Sequence, residues 1–387
     1  MTIRPRPEIE AVTSSTHGGF DSVEFARLGL DFKAVIDFSA NINPFGPSPK
    51  ALAALQGAAV DRHPDPEATE LRRLIAAREG IGTESILVGN GSAELIRLLA
   101  IAYLRAGDRV LIVEPTFGEY GVSSAMMGAQ VRDHRARPED GFRLNVEMAA
   151  HQIEKERPRL VFLCNPNNPT GTYLSRRDVE RLLAACEGTL LVVDEAFVTF
   201  VADAWSSIPL TKEGNLLVLR SMTKDYALAG LRLGYAVAHR EIIVALAKVR
   251  PPWSVNALAQ AAGVAALLDE RHLRESLAEL ARAKEALIAS LADLEWKVLP
   301  SMTHFFLVEV ARSRPFRRRA PEGQSWEARA RQVGAGAAFR RILLEQGILV
   351  RDCASFGLPA CVRIATRRPE ENRRLIETIR RSFKLSA

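Results

Sequence analysis

The chain has 387 residues, of which 47% are hydrophobic and 25% charged, and its formal net charge is +6. This length exceeds that of one typical domain, and the composition is that of an ordinary globular protein. There is no run of about 18 apolar residues, and the polar start lacks an apolar signal core. We therefore expect no membrane association and a cytoplasmic location.

Much of the positive excess lies between Arg312 and Arg319, inside a Pro-, Arg- and Gly-rich segment at 312–324. No nucleic-acid-binding motif surrounds this segment, so we interpret it as a solvated insertion and expect no nucleic-acid partner. Attraction of anionic phosphorylated metabolites is the alternative. The four cysteines form no CxxC pair and no metal-ligand cluster, which indicates free thiols and no metal site.

The first motif along the chain is a glycine-rich turn. An apolar run at 85–88 predicts a strand, and the sequence GNGSA follows it and opens a predicted helix. Backbone N–H groups at a helix N-terminus bind anions, and small residues allow a phosphate to come close. Gly91, Ser92 and Ala93 are therefore candidate phosphate ligands, although one glycine-rich turn is weak evidence.

Two apolar runs at 160–164 and 189–193 predict parallel strands that are buried on both faces. The first run leads into the turn NPNNPTG, and the second leads into DEAF. Residues at the carboxyl ends of parallel strands lie where open α/β sheets bind their ligands. Asn168 and Asp194 are thus candidate ligands, and a helix cap is the alternative for Asp194.

The stretch SMTKDYALAGLR places Lys224 between two hydroxyl side chains and eight residues before an arginine. An amine that forms a Schiff base has to lose its proton near neutral pH, and nearby cationic charge together with burial promotes this loss. Ser221, Thr223 and Arg232 suit a dianionic phosphate held beside that amine. For this motif alone, a solvated lysine on a surface helix is the alternative.

The order glycine turn, NPNNPTG, DEAF and SxTK resembles the fold-type I pyridoxal-phosphate (PLP) enzymes, the aspartate-aminotransferase superfamily, over nearly the whole chain. This resemblance implies PLP as the cofactor. It also implies an α/β fold: a large domain with a mostly parallel, doubly wound sheet, and a small α+β domain. Lys224 would bond the cofactor, Asp194 would contact its pyridine nitrogen and Asn168 its ring oxygen. The implied phosphate ligands are Gly91, Ser92, Ala93, Ser221 and Arg232.

The same resemblance assigns roles to three further residues. Phe117 in EPTFGEY matches the aromatic residue that stacks on the ring, with core packing as the alternative. Arg363 in CVRIAT matches the arginine that binds the substrate carboxylate, and a strand-edge arginine is the alternative. His63 replaces the tyrosine of an RYPDP element that reaches the partner subunit's cofactor phosphate. Either its imidazole makes that contact or the contact is absent, and the arrangement implies a homodimer with shared active sites.

Predicted strands and helices alternate from about residue 50 to 250, which is typical of a doubly wound sheet. After PPWSVN the pattern predicts one long helix over 257–294. We expect an N-terminal segment at 1–49 that packs with the small domain and the active site. The large domain would span 50–295 and the small domain 296–387, because the resemblance folds both ends together.

The ends of the chain resemble L-threonine-O-3-phosphate decarboxylases of cobalamin biosynthesis. The motifs are HGG, SANINP and PWSVNALA, together with Phe197 where transaminating relatives usually carry tyrosine. They predict a PLP-dependent lyase that converts L-threonine O-3-phosphate to (R)-1-amino-2-propanol O-2-phosphate. An aminotransferase acting on histidinol phosphate with 2-oxoglutarate is one alternative, and a binding or regulatory protein is another. The candidate substrate ligands are His17, Asn43, Arg363 and Arg367, and a surface histidine is the alternative for His17.

Overall fold

The computed structural model describes residues 3–16, 18–317 and 334–385. The chain divides into two compact units. The first unit comprises Met1–Ser15, Gly46–Asn168 and Thr172–Arg274, and the second comprises Thr16–Phe45, Pro169–Gly171 and Glu275–Ala387. Residues 46–49 thus belong to the first unit, and residues 275–295 belong to the second.

The described helices and strands follow one another along the chain. The helices are α1 (Pro7–Glu10), α2 (Ser22–Leu28), α3 (Pro49–Gln56), α4 (Thr69–Glu79), α5 (Gly91–Tyr103), α6 (Glu119–Ala125), α7 (Val146–Glu156), α8 (Arg176–Ala185), α9 (Arg240–Val249), α10 (Ala257–Leu267), α11 (Glu270–Asp293), α12 (Arg314–Arg317), α13 (Ala335–Leu344) and α14 (Pro369–Phe383). The strands are β1 (Ile36–Asp37), β2 (Ile86–Gly89), β3 (Arg109–Glu114), β4 (Gln130–Arg135), β5 (Leu160–Cys164), β6 (Leu190–Asp194), β7 (Leu216–Ser221), β8 (Gly234–Ala238), β9 (Phe305–Glu309), β10 (Ile348–Leu349), β11 (Arg351–Asp352) and β12 (Cys361–Ala365).

The first unit is built on a seven-stranded sheet with the order β2-β8-β7-β6-β5-β3-β4. The strands from β7 to β4 pair in parallel, and β8 runs antiparallel to both of its neighbours. The sheet is therefore mostly parallel, and the expected α/β fold class is confirmed. Every residue of β5 and β6 is buried, because helices cover both faces of a parallel sheet.

Alternate residues of these strands enter different cores. Leu191 and Val193 pack in the cluster on one face of the sheet, whereas Leu190 and Val192 pack in the cluster on the other face. This follows from the two-residue repeat of a strand. A continuous apolar run is the sequence signature of that arrangement, which is why the composition of β5 and β6 predicted buried strands.

One edge of this sheet collects the loops that follow its central strands. β2, β7, β6, β5 and β3 all end there, and the antiparallel β8 begins there, since Gly234 pairs with both Gly89 and Ser221. The segments that leave or enter at this edge are those after Gly89, Cys164, Asp194 and Ser221, and the one before Gly234. The four motifs found in the sequence therefore meet at a single edge.

The second unit contains a three-stranded antiparallel sheet with the order β11-β12-β9 and a parallel pair formed by β1 and β10. Its core includes Trp296, whose ring lies 4.8 Å from that of Phe339 and 5.1 Å from that of Phe383. Residues on α11, α13 and α14 complete this apolar cluster. The sheet thus packs on helices from the end of the chain.

The prediction of a single helix over 257–294 is wrong, because the structure has two helices there, α10 and α11. α10 ends at Leu267, the next residue, Leu268, is 60% exposed, and the polar Asp269 precedes α11. Aspartate favours the position before a helix start, so it supports a break that an uninterrupted helical pattern conceals. Within the described ranges, no helix is long and apolar enough to cross a membrane.

Candidate active site

Asp194 ends β6 and lies in a fully enclosed setting. Its Oδ2 accepts a hydrogen bond of 2.7 Å from the hydroxyl of Tyr120, and its Oδ1 accepts one of 3.0 Å from the backbone N–H of Ala196. Burial raises the pKa of Asp194, although these hydrogen bonds and the positive charge of Lys224 oppose the rise. A positively charged group beside the carboxylate of Asp194 would therefore be bound strongly.

Tyr120 was not singled out from the sequence, although it belongs to the EPTFGEY motif. Its ring is fully buried and stacks on Phe162 at 4.9 Å. Burial, with the neighbouring carboxylate of Asp194, raises the pKa of Tyr120 well above its usual value. The phenol therefore stays protonated and donates its hydrogen bond to Asp194. Seventy-four residues separate the two partners, and no local pattern predicts such a contact.

The glycine-rich turn lies against Arg232. Gly91 has a φ of +73°, and a Cβ atom there would lie 2.8 Å from Nη2 of Arg232. A Cβ at Gly234 would lie 2.8 Å from the backbone nitrogen of Ser92. Glycine at these two positions lets the guanidinium and the first turn of α5 come together.

This juxtaposition has the properties of a phosphate site. α5 begins without a side-chain cap, so the N–H groups of its first turn are available to an anion. Ser221 and Thr223, which leave β7 at the same edge, are both buried. Lys224 follows them and is partly buried. The structure therefore brings the SxTK motif, Arg232 and the glycine turn to one end of the sheet.

The NPNNPTG turn is held against the end of β6. The backbone N–H of Asn165 donates to the carbonyl of Asp194 at 2.9 Å, and its Oδ1 accepts from the backbone of Leu174 at 2.8 Å. Asn168 lies in this turn and is 8% exposed. Phe117 follows β3, is partly buried, and contacts Tyr120 edge to face at 5.7 Å.

In the second unit, Arg363 and Arg351 form a buried pair on neighbouring strands. They lie directly opposite each other in the β11–β12 ladder, and both side chains are less than one-tenth exposed. Burial lowers the pKa of Arg363 to about 10, so its guanidinium stays charged at neutral pH. Two cations held in one buried place form a strong anion site.

Arg351 was missed in the sequence, although an arginine inside the apolar run GILVRDC is itself a signal, because buried arginines are rare. Its Nη2 donates to the carbonyl of Thr16 at 2.7 Å. Arg363 donates to the carbonyl of Ser39 at 2.6 Å, and Gly18 lies beside the same groups. The backbone on both sides of position 17 is thus held beside the arginine pair, and His17 itself lies outside the described residues.

Three other predicted residues have partners of their own. Asn43 donates to Ser276 at 2.8 Å and accepts from the backbone of Phe45. Arg367 binds Glu371 at 2.9 Å in the first turn of α14. His63 is exposed and stacks on Trp253, with 4.2 Å between ring centres. Their roles in binding substrate or cofactor stay predictions. Most of the Arg-rich segment at 312–324 lies outside the described residues.

The residues at the sheet edge fit PLP. A buried carboxylate suits a protonated pyridine nitrogen, and an uncapped helix start beside an arginine suits a phosphate. Lys224 lies between Asp194 and Arg232 in the chain. A covalent bond to the cofactor requires an amine, and this lysine supplies one. Together with the mostly parallel sheet, these features define a fold-type I PLP-dependent enzyme.

The chain belongs to the class I and II aminotransferase family, whose model matches residues 33–379, and its cofactor is PLP. It is 36% identical over 362 residues to a histidinol-phosphate aminotransferase of Symbiobacterium thermophilum, covering 92% of this chain and 93% of that protein. It is also similar to the crystal structure of histidinol-phosphate aminotransferase from Sinorhizobium meliloti in complex with PLP. That similarity has a TM-score of 0.84 at 25% identity and covers 99% of this chain and 98% of the other.

The prediction of a PLP-dependent lyase, a threonine-phosphate decarboxylase of cobalamin biosynthesis, is wrong. Three relatives that are 36–38% identical and match over 88–93% of their own length are histidinol-phosphate aminotransferases. The decarboxylase from Porphyromonas gingivalis is a more distant structural neighbour, with a TM-score of 0.74 at 28% identity over 90% of this chain and 99% of the other. The residues behind the prediction have structural contacts: Asn43 binds Ser276, and Asn256 caps α10. Such contacts do not separate the two reactions.

Proposed function

We propose that the protein is an aminotransferase that moves the amino group of histidinol phosphate to 2-oxoglutarate. The observation that carries this proposal is the 36% identity to a histidinol-phosphate aminotransferase, which extends almost end to end in both chains. The fold alone does not select a substrate, because one fold hosts many activities. The relatives support the choice of substrate, and the chain's own residues support the chemistry.

In this proposal the first unit holds the cofactor. PLP, when bound, supplies an aldehyde that condenses with amines and a ring that withdraws electrons from the adjacent carbon. Lys224 bonds the cofactor between turnovers; its Nζ takes the proton from the amino-bearing carbon of the amine in the first half-reaction and gives a proton to the corresponding carbon derived from the keto acid in the second. Asp194 pairs with the protonated ring nitrogen, Asn168 binds the ring oxygen, and Phe117 packs on the ring face. The proposed phosphate ligands are Gly91, Ser92, Ala93, Ser221, Thr223 and Arg232.

The arginine pair of the second unit supplies the anion contacts in this proposal. Arg363 binds the carboxylate of the keto acid, and Arg351 joins it in binding the phosphate ester of the amine. Both substrates carry an anionic group, so one cationic pair serves both half-reactions. His17, Asn43 and Arg367 remain proposed substrate ligands, as the sequence predicts.

Replacing Arg351 with glutamine should weaken the preference for the phosphorylated amine. Loss of a charge-assisted hydrogen bond costs about 1.5–3 kcal/mol, or roughly ten- to a hundred-fold in kcat/KM. The ratio of kcat/KM for histidinol phosphate to that for histidinol should fall by that factor, while PLP content stays unchanged. Arg341→Gln is the matched control, because Arg341 is half-exposed and its guanidinium pairs with Glu345. An unchanged ratio in Arg351→Gln would remove Arg351 from the substrate site.

We propose that the enzyme is a homodimer and that its substrates are small molecules. His63 and Trp253 support the dimer, because both rings are exposed in the single chain although they stack on each other. Trp253 also has a φ of +54°, a conformation that large side chains rarely adopt. An exposed pair of this kind suits contact with a second copy of the chain.

The proposed reaction requires two substrates. With histidinol phosphate and 2-oxoglutarate together, the enzyme should form glutamate over many turnovers. With histidinol phosphate alone, each active site should turn over once, because the amino group stays on the enzyme until a keto acid removes it. Glutamate formation and the loss of the visible cofactor band measure these outcomes. Repeated CO2 release from threonine phosphate without any keto acid would contradict the proposal.

A further inference from the structure

A group of charged and hydroxyl side chains lies buried behind the cofactor-facing end of the sheet, within the first unit. It lines a cavity of about 30 Å³ and includes Glu195, Arg220, Asp225 and Thr199. None of these residues belongs to the proposed set of cofactor or substrate ligands. Each of the three charged residues, however, is the immediate chain neighbour of a residue that does.

Glu195 follows Asp194, and Arg220 precedes Ser221. Nε of Arg220 lies 3.1 Å from Oε2 of Glu195, and both side chains are mostly buried. Ser206 bridges them, since its hydroxyl donates to Glu195 at 2.8 Å and accepts from Arg220 at 3.0 Å. This ion pair therefore ties the end of β6 to the end of β7.

Asp225 follows Lys224 and brings a second carboxylate to the same cation. Its Oδ2 accepts from Thr199 at 2.9 Å and its Oδ1 from the backbone N–H of Tyr226 at 2.9 Å. Burial raises the pKa of Asp225 to about 6, and the charge of Arg220 opposes that rise. Burial by itself would lower the pKa of Arg220, but Glu195 first, then Tyr235, Glu79 and Asp225, raise it overall. The Arg220 guanidinium thus offsets the buried carboxylates of Glu195 and Asp225 together with the partly buried Glu79.

We propose that Arg220 is a positioning residue that holds Asp194, Ser221 and Lys224 in fixed register through the residues next to them. This inference rests on the proposed function, since it takes those three residues as the cofactor's ligands. Arg220 itself touches neither cofactor nor substrate. Its removal leaves two buried carboxylates without their cation, and the strand ends that carry the ligands then shift apart. Residues that orient the ligands of a bound metal typically change its affinity by roughly ten- to a hundred-fold, and we expect an effect of that size here.

The test compares Arg220→Met, Glu195→Gln, the double variant and Arg220→Lys. PLP affinity is measured by titrating each apoenzyme, and the pH titration of the visible band of bound PLP is recorded beside kcat and KM. Arg220→Met should weaken PLP binding by roughly ten- to a hundred-fold and shift the pH titration. The KM for histidinol phosphate should stay within about twofold, because the arginine pair of the second unit is untouched. Arg220→Lys should restore part of the affinity.

The double variant keeps the test decisive if Arg220→Met folds poorly. Replacing both members of a buried ion pair is less harmful than removing one, because Glu195 is then no longer a charge without its partner and only Asp225 loses the cation. The double variant should therefore fold and still bind PLP more weakly than the wild type. Arg181→Met is the matched control, since Arg181 binds Glu147 and Glu154 on the surface of the same unit. It should leave PLP affinity unchanged.

Two results would overturn the inference: PLP affinity and band titration that stay within about threefold of wild type in both Arg220→Met and the double variant, or an equal loss in Arg181→Met. These readouts do not depend on the substrate. If the wild-type enzyme binds PLP but fails to use histidinol phosphate, the proposed function fails while the positioning role of Arg220 is still measured.

Discussion

Replacing Lys224 with alanine should abolish both turnover and the visible absorbance band of PLP bonded to the lysine. The lysine is proposed to bond the cofactor and to move the proton at the substrate carbon, so both roles end together. Proton transfer by a positioned side chain alone contributes about 10² to 10⁴ in rate. We expect kcat to fall by roughly a thousand-fold or more, as measured by glutamate formation.

Lys212→Ala is a suitable control for this experiment, because Lys212 is an exposed lysine in the same unit. It should keep the wild-type spectrum and rate. Full activity in Lys224→Ala would remove the lysine from the mechanism and with it the assignment of the whole site. Loss of activity with an unchanged visible band would show that another amine bonds the cofactor.

The main elements of the first unit could be predicted because its strands are buried on both faces. The run at 160–164 predicted β5 with its observed bounds, and the run at 189–193 predicted β6 to within one residue. Apolar runs of this length followed by glycine, asparagine or aspartate are local signals. Their meeting at one edge needed only the rule that parallel strands end on the same side.

Contacts between distant segments could not be predicted in the same way. The hydrogen bond from Tyr120 to Asp194 depends on how α6 packs on the sheet, and the pairing of Arg351 with Arg363 depends on the β11–β12 register. A shift of one residue in that register would turn one arginine away from the other. Such contacts follow from tertiary packing, which no single segment encodes.

Neither the local sequence signals nor these tertiary contacts decide between decarboxylation and transamination. The two reactions use the same lysine and carboxylate, and they differ in which bond of the substrate is held perpendicular to the cofactor ring. That angle is set by small displacements of binding groups. The motifs HGG and SANINP therefore favoured the wrong reaction, although they mark the segment held beside Arg351 and Arg363.

Replacing Asp194 with asparagine should leave PLP bound but slow catalysis severely. A neutral amide cannot stabilise the protonated ring nitrogen, and loss of one preorganised electrostatic partner costs roughly 10² to 10³ in kcat. Tyr120→Phe removes only the neighbouring hydrogen bond, so we expect a smaller loss of about tenfold or less. Single-turnover kinetics with histidinol phosphate, beside PLP content from absorbance, would measure both.

The free energy of unfolding shows whether slow catalysis in Asp194→Asn arises from loss of the charge or from unfolding of the protein. Burial raises the pKa of Asp194 in the folded apoenzyme, so the carboxyl group favours the folded state at low pH, and this contribution is lost as the pH rises through the folded-state pKa. Ionisation of this buried carboxyl group opposes folding of the wild-type apoenzyme, and asparagine cannot ionise. The free energy of unfolding of the Asp194→Asn apoenzyme, from urea titration at pH 7, should therefore equal or exceed that of the wild type. A rate within about threefold of wild type would show instead that Asp194 serves only to hold Tyr120 and the turn after β6 in place.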